Sequence, residues 1–358
     1  MSDDQLGVAS AESGLAGSAS SVASFDEDMA SPIRRIQHYL HANPTAIPFV
    51  VLLIGTAIFS VTAGAKFFAP FNLSLVLQQV TVIGVLGIAQ TLIILTAGID
   101  LSVGAIMLLS SIVMGRLAVV VGVPVEASFA IGLATGLICG LFNGILVALI
   151  KLPPFIVTLG TWSIYGSMVI FVSQSETIRS QDVAEIAPFL QWLGTRMPIG
   201  AGAVLTLGTV AMLLVALVLW YVLNRTAFGR HLYATGDDAE AARLAGINTN
   251  AILIAVYGVA GLICAIAGWV SIGRIGAISP LGGQNANLDA ITAVVIGGTS
   301  LFGGRGSIVG TLIGALIVGT FRNGLALAGV DVLWQEFSVG SLIILAVAVD
   351  QWIRKASA

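Results

Sequence analysis

The sequence predicts an all-α, polytopic membrane protein of about ten transmembrane helices built on an inverted repeat. Three observations carry that prediction: an excess of apolar residues, their recurrence in long runs, and one internal echo. Of 358 residues, 57% are apolar and 9% charged, against roughly 45–50% and about 25% in soluble domains. So few charges cannot clothe a soluble surface of this size, and the bilayer is the solvent. The 42 glycines fall mostly inside the apolar runs, where small residues let helix backbones approach closely.

A helix needs roughly 20 apolar residues to cross about 30 Å of hydrocarbon at about 1.5 Å per residue. Runs bounded by polar residues, Gly or Pro give candidate spans over 47–64, 75–96, 103–123, 127–150 and 154–173. Five more follow over 200–223, 251–273, 288–301, 308–327 and 333–349. The eighth is too short for a straight crossing and is expected to be tilted, broken or re-entrant. An even number of crossings puts both termini on one face. With the termini inside, nine basic residues fall on the inner face, Arg225, Arg230, Arg243 and Arg305 among them, and five on the outer. That excess places 224–250 in the cytoplasm and 174–198 outside. Residues 1–31, rich in Ser, Ala, Gly and Asp with neither a basic start nor an apolar core, are expected to form a disordered cytoplasmic tail ahead of a transmembrane domain over 32–358.

The echo aligns NGILVALIKLPPFIVTLG from Asn143 with NGLALAGVDVLWQEFSVG from Asn323, without a gap. It pairs Asn143 with Asn323, Gly144 with Gly324, Ala148 with Ala328 and Gly160 with Gly340. Upstream, Ile99-Asp100 before one apolar run resembles Leu288-Asp289 before another. On the assigned spans the first copy runs inward and the second outward, as an inverted-topology repeat requires, and such repeats frame a pathway at the midplane.

Several chemistries find no support. Cys139 and Cys264 lie deep in apolar runs, and His38, His41 and His231 fall outside the spans, so neither a disulfide framework nor a metal site is suggested. A net charge of −3 gives no reason to expect nucleic acid as a partner. The sequence contains no G-x-x-x-x-G-K-[ST] loop, so ATP, if used, is held by another subunit. No nucleophile–base set or paired carboxylates stand out, and the chain is not expected to be an enzyme.

The one long charge-rich stretch, NRTAFGRHLYATGDDAEAARLAGINTN, separates the sixth and seventh spans. Asp237 or Asp238 can cap a short helix there, and Gly246 can end it in the left-handed conformation. In that helix Ala241, Leu244 and Ala245 share a face. A small apolar face suits docking into another protein's groove; an ordinary solvated loop helix is the plainer alternative.

Glu240-Ala241-Ala242-Arg243-Leu244-Ala245-Gly246 fits E-A-A-x-x-x-G, and the chain here resembles the permease subunits of bacterial ABC importers, which engage their ATPase through that pattern. TAGIDLSVGAIMLLSS from Thr96, GRHLYATGDDAEAARLAGIN from Gly229 and IGGTSLFGGRGSIVGTLIGALIVGT from Ile296 resemble the ribose, xylose and fructose branch, with its fructose permeases the most similar. The likeness runs from about Phe49 to the C-terminus. It implies an ABC importer permease fold, a homodimer in the bacterial inner membrane, two ATPase subunits beneath that bind ATP and Mg, and a periplasmic sugar-binding protein above. It also implies that Gly229, Arg230, Glu240, Ala241, Ala242 and Gly246 form the contact with the ATPase, the small residues setting how closely it docks. Arg230 is equally suited to anchoring at the headgroups.

For the sugar path the candidates are Gln90, Asn143, Trp162, Tyr165 and Asn323. Asn also serves as interhelical glue, and Trp and Tyr also populate the interfacial belt. Asp100 and Asp289 suit helix N-termini, with proton coupling as the sharper alternative, and Arg116 and Arg322 can snorkel to an interface. A gradient-driven secondary sugar transporter and an ABC permease for amino acids are the rival readings.

Overall fold

A computed structural model describes residues 46–354 apart from Gln284. The expected tail, residues 1–31, and the basic residues Arg34, Arg35 and Lys355 lie outside the described residues.

Helix α1 (Ala46–Thr62) leads through a 3₁₀ turn (Gly64–Lys66) to α2 (Pro70–Leu95) and α3 (Val103–Gly115), which continues as a π turn (Arg116–Val121). Helices α4 (Val125–Ala148) and α5 (Pro154–Ser173) complete the first half. Next come α6 (Ser180–Ile186), a 3₁₀ turn (Pro188–Gly194) and a hairpin of β1 (Arg196–Gly200) and β2 (Ala203–Thr206). The second half holds α7 (Leu207–Arg225), α8 (Ala227–Asp237), α9 (Ala239–Leu244), α10 (Thr249–Ile275), α11 (Ala286–Ile296), α12 (Ile308–Leu327) and α13 (Val332–Arg354).

Each of the ten expected spans meets a helix. Among the described residues, seven helices are long and apolar enough to cross a membrane, and three apolar stretches are shorter: Ile47–Thr62, Ala286–Ile296 and Val332–Leu345. The short eighth span is α11, whose 11 residues reach only about 16 Å at about 1.5 Å per residue, roughly half a bilayer. The sixth span is corrected at its start. Residues 196–206 pair as an antiparallel hairpin, turning at Gly200 and Gly202 with φ of +100° and +81°, so the helix begins at Leu207, and a two-stranded sheet joins the helices among the described residues.

Helix α2 is the spine, with Val85, Leu86, Ile88, Leu92 and Leu95 all at 0% exposure. By contrast α7 buries one stripe, Met212, Ala216, Leu219 and Leu223, at helical spacing. Its other side exposes Leu213, Leu217 and Val218, a surface that only hydrocarbon solvates well. Glycine does what its abundance suggested: a Cβ on Gly136 would fall on Gly261 O, and one on Gly140 on Tyr257 O, so α4 and α10 pack backbone against backbone.

The two faces of the molecule differ in what gathers there. One carries α6 and the hairpin, the other α8 and α9. Helix α2 starts at the hairpin face, where Val204 N donates to Ser74 Oγ at 2.8 Å, and ends at the loop face against Gly236. Helix α10 starts directly after α9 and ends at the hairpin face, where Gln191 Nε2 donates to Gly276 O at 2.8 Å. The two are antiparallel. Likewise α3 runs toward the hairpin face, where Gly115 packs on Ile178 and Ile278, while the connection leaving α11 reaches the loop face.

Contacts repeat in the same sense. Helix α10 packs on α3 and α4 as α2 packs on α11 and α12; α3 packs on α4 and α5 as α11 packs on α12 and α13. Exchanging the two sets of four helices leaves this pattern unchanged, which is an inverted repeat. The sequence echo paired α4 with α12 and α5 with α13, in agreement. Asp100 and Asp289 are out of register, one lying before α3 and the other inside α11.

Candidate functional site

Three places concentrate polar chemistry. The first is the loop between α7 and α10, which folds into two helices rather than the one expected. Thr226 Oγ1 accepts from Gly229 N at 3.3 Å to start α8, and Asp238 Oδ1 accepts from Glu240 N and Ala241 N at 2.8 and 3.0 Å to start α9. Ile247 N donates to Ala242 O and Gly246 N to Arg243 O, both at 3.0 Å, with Gly246 at φ +86°; this is a Schellman close, which favours glycine at that position. Ala241, Leu244 and Ala245 point outward, Leu244 at 91% exposure. Ala242, expected among the docking residues, is instead buried at 5% and faces the body of the subunit.

The inner side of this loop is clamped. A Cβ on Gly229 would fall on Leu223 O, one on Gly236 on Leu95 O, and one on Gly303 on Gly236 O. Gly304 N donates to the same Leu95 O at 3.0 Å, and Tyr233 Oη donates to Gly306 O at 2.9 Å. Burial raises the Tyr233 phenol above its usual range, so it keeps the proton it donates. Helix α8 thus bears on the end of α2 and on the connection between α11 and α12.

The second place is the unwound stretch 96–102 between α2 and α3. Helix α2 closes with Gly98 N on Ile93 O at 3.1 Å and Ala97 N on Ile94 O at 2.9 Å, Ala97 standing at φ +60°. The freed backbone groups are taken up by side chains, as an interrupted membrane helix demands. Gln90, with its carboxamide oriented to satisfy both its atoms, donates to Asp100 O at 3.1 Å and accepts from Asp100 N at 3.2 Å. Thr158 Oγ1 donates to Ile99 O at 3.0 Å and Asn287 Nδ2 to Leu101 O at 3.2 Å. Asp100 Oδ1 accepts from Ser102 N and Oγ, each at 2.6 Å. Asn143 Nδ2 donates to Ser102 Oγ at 2.9 Å and its Oδ1 accepts from Tyr165 Oη at 3.3 Å.

The third is a cleft of about 430 Å³ among α2, α10, α11, α12 and α13, bordered by Gln79, Asp289, Arg322, Asn323 and Gln335. Arg322 pairs with Asp289 at 2.7 Å and with Glu336 at 3.1 Å. Arg322 is therefore held by two carboxylates rather than reaching freely for an interface. Arg116 pairs with Glu176 at 3.0 Å.

A family profile described as "Branched-chain amino acid transport system / permease component" matches residues 72–347. The fructose import permease of Rhizobium meliloti is 55% identical over 344 residues, 96% of this chain and 95% of that protein. The chain belongs to the permease family of bacterial monosaccharide importers. The ribose import permease of Escherichia coli K12 is 40% identical over 84% of the permease described here and 92% of its own length. The xylose permease of the same strain is 33% identical over 84% and 89%. No solved structure matches the permease.

Both rival readings lose ground, since these relatives are sugar import permeases. The permease is a multi-pass membrane protein. Of its five candidate path residues, Gln90, Asn143 and Tyr165 are buried at 0%, 0% and 4% around the unwound stretch. Trp162 lies on the outward side of α5, 42% exposed. Asn323 alone borders the cleft, where its amide and that of Asn72 bond reciprocally at 2.9 Å. Sequence reading passed over Gln79, Thr158, Asn287 and Gln335. Thr158 carried a signal, as a polar residue inside an apolar run, whereas Asn287 fell in the polar stretch before one and Gly236 was one glycine among many.

Proposed function

We propose that this permease forms the channel of an ATP-driven importer for a monosaccharide such as fructose or ribose, working as a homodimer in the inner membrane with both termini cytoplasmic. An ATPase pair, carrying ATP and Mg, docks on the α8–α9 loop, and a periplasmic sugar-binding protein delivers solute to the hairpin face. The observation that carries this reading is the loop's two-sided build. Its outer face offers Leu244, nearly free, beside Glu240 and Ala241. Its inner face presses Gly236 on Leu95 and Gly303. A push on α9 reaches the start of the unwound stretch and the connection to α12 without slack, because backbone meets backbone with no flexible side chain between.

The residues around 96–102 then act as the hinge block that receives the push. Their hydrogen bonds, made to side chains of α2, α5 and α11 rather than within one helix, are the contacts that such a push rearranges. The test is reconstitution with an ATPase and a sugar-binding protein in proteoliposomes: fructose or ribose uptake is expected to require ATP and to stop with vanadate. Uptake that proceeds without the ATPase and collapses with the proton gradient would sink the proposal. The description of the family profile makes leucine the competing solute to include.

A further inference from the structure

We infer that the cleft at Asp289 and Arg322 is a low-affinity site for the transported solute, bound as a neutral, polyhydroxylated sugar ring. The inference rests on the monosaccharide reading above and adds to it the location and chemistry of the site. Polar side chains from five helices converge there, among them Gln79 on α2, Arg274 on α10, Asp289 on α11, Arg322 on α12 and Gln335 on α13. Val82 and Met107 add apolar wall. Its volume of about 430 Å³ lies within the roughly 300–1,000 Å³ of small-molecule sites.

Charge decides the class of ligand. Asp289 and Glu336 already hold Arg322, so at that cluster an anion would have to displace two carboxylates and a cation would have to displace the guanidinium, while Arg274 on the α10 wall adds a further N–H donor for hydroxyls. Neutral hydroxyls displace neither: they donate to carboxylate and carboxamide oxygens and accept from guanidinium and carboxamide N–H groups. The apolar wall suits the C–H face of a sugar ring. An ion pair inside a membrane protein is costly and marks a pathway by default, and this one is reachable, with the Arg322 and Asp289 side chains 27% and 12% exposed.

Position supports the same assignment. Gly104, at the start of α3, lies against the backbone of Asn287, at the start of α11, so these two equivalent helices of the inverted repeat meet at their starts beside Asp289. In secondary transporters built on inverted repeats, helix ends that meet at the repeat interface hold the solute, and the same meeting of helix starts is present here. The cleft lies by the ends of α10 and α12 and the start of α13, and so opens toward the hairpin face, from which solute arrives.

The experiment introduces Gln335→Cys into the full permease, assembled with its ATPase in proteoliposomes, and follows modification by a membrane-impermeant methanethiosulfonate. The native cysteines are buried, and wild type sets the background. Modification is expected to slow several-fold in high-millimolar fructose or ribose and to ignore alanine at equal concentration. In parallel, Gln79→Leu combined with Gln335→Leu is expected to lower uptake several-fold while ATPase stimulation by the binding protein persists, a split that misfolding would not produce. A thiol that is unreactive, or modified equally fast with and without sugar, while wild type imports that sugar, overturns the inference and leaves the proposed function standing. Wild type that imports no monosaccharide with ATP overturns the proposed function, and the inference falls with it.

Discussion

At residue scale, the Asn72–Asn323 pair shows how polar groups are tolerated in this fold. Each carboxamide satisfies the other, and Asn72 Nδ2 also donates to Phe67 O at 2.9 Å. Asn323→Leu leaves a buried amide short of a partner and is expected to cost about 1–3 kcal/mol, whereas Asn72→Leu with Asn323→Leu removes both needs at once and is expected to cost less than the single change. Thermal unfolding of the purified permease in detergent measures both; a double variant weaker than the single would show that the pair supplies net stability. Ala97 stands in the left-handed region without being glycine, at a cost of roughly 1–2 kcal/mol. Ala97→Gly is expected to raise the unfolding temperature. No rise would mean that the packing of the Ala97 methyl on Gly303 offsets the strain.

Among the elements, α9 separates docking from folding. Leu244 is almost fully exposed, so Leu244→Asp is expected to leave thermal stability within about 0.5 kcal/mol of wild type while abolishing co-purification of the ATPase. Ala242→Leu overpacks an inward-facing site and is expected to cost about 1–3 kcal/mol, losing stability and coupling together. A Leu244→Asp permease that still retains the ATPase would place the contact elsewhere on the loop. The elements differ in how far they could be read from sequence. Asp238 and Gly246 announced α9, because capping chemistry is local and needs particular residue types. Ala242 was misplaced because E-A-A-x-x-x-G gives spacing but not which side the subunit occupies. The role of Gln90 was hidden for a similar reason. A glutamine in an apolar run signals some polar task, yet its partner, the peptide of Asp100, became visible only when the break after Leu95 was folded back against α2. The span over 200–223 was read too long because the residues of β2 are as apolar as those of the helix that follows.

Over the whole molecule, the hairpin and the α8–α9 loop mark opposite faces, and the excess of basic residues predicts that the loop is the cytoplasmic one. Ile199→Cys, at a 66% exposed hairpin position, is expected to react with impermeant thiol reagent in intact cells, and Leu244→Cys only after the membrane is opened. The reverse pattern would turn the permease over and remove both the ATPase and the binding protein from their assigned faces. The same two-faced layout gives α7 a task unlike that of its neighbours. The unit from α2 to α5 enters and leaves on the same side, so a second copy joined directly to it would stand the same way up. One additional traverse changes that parity, and α7 supplies it. What the membrane asks of this helix is chiefly an odd count, so its hydrocarbon-facing side is free to drift in sequence as long as it still reaches from one side to the other.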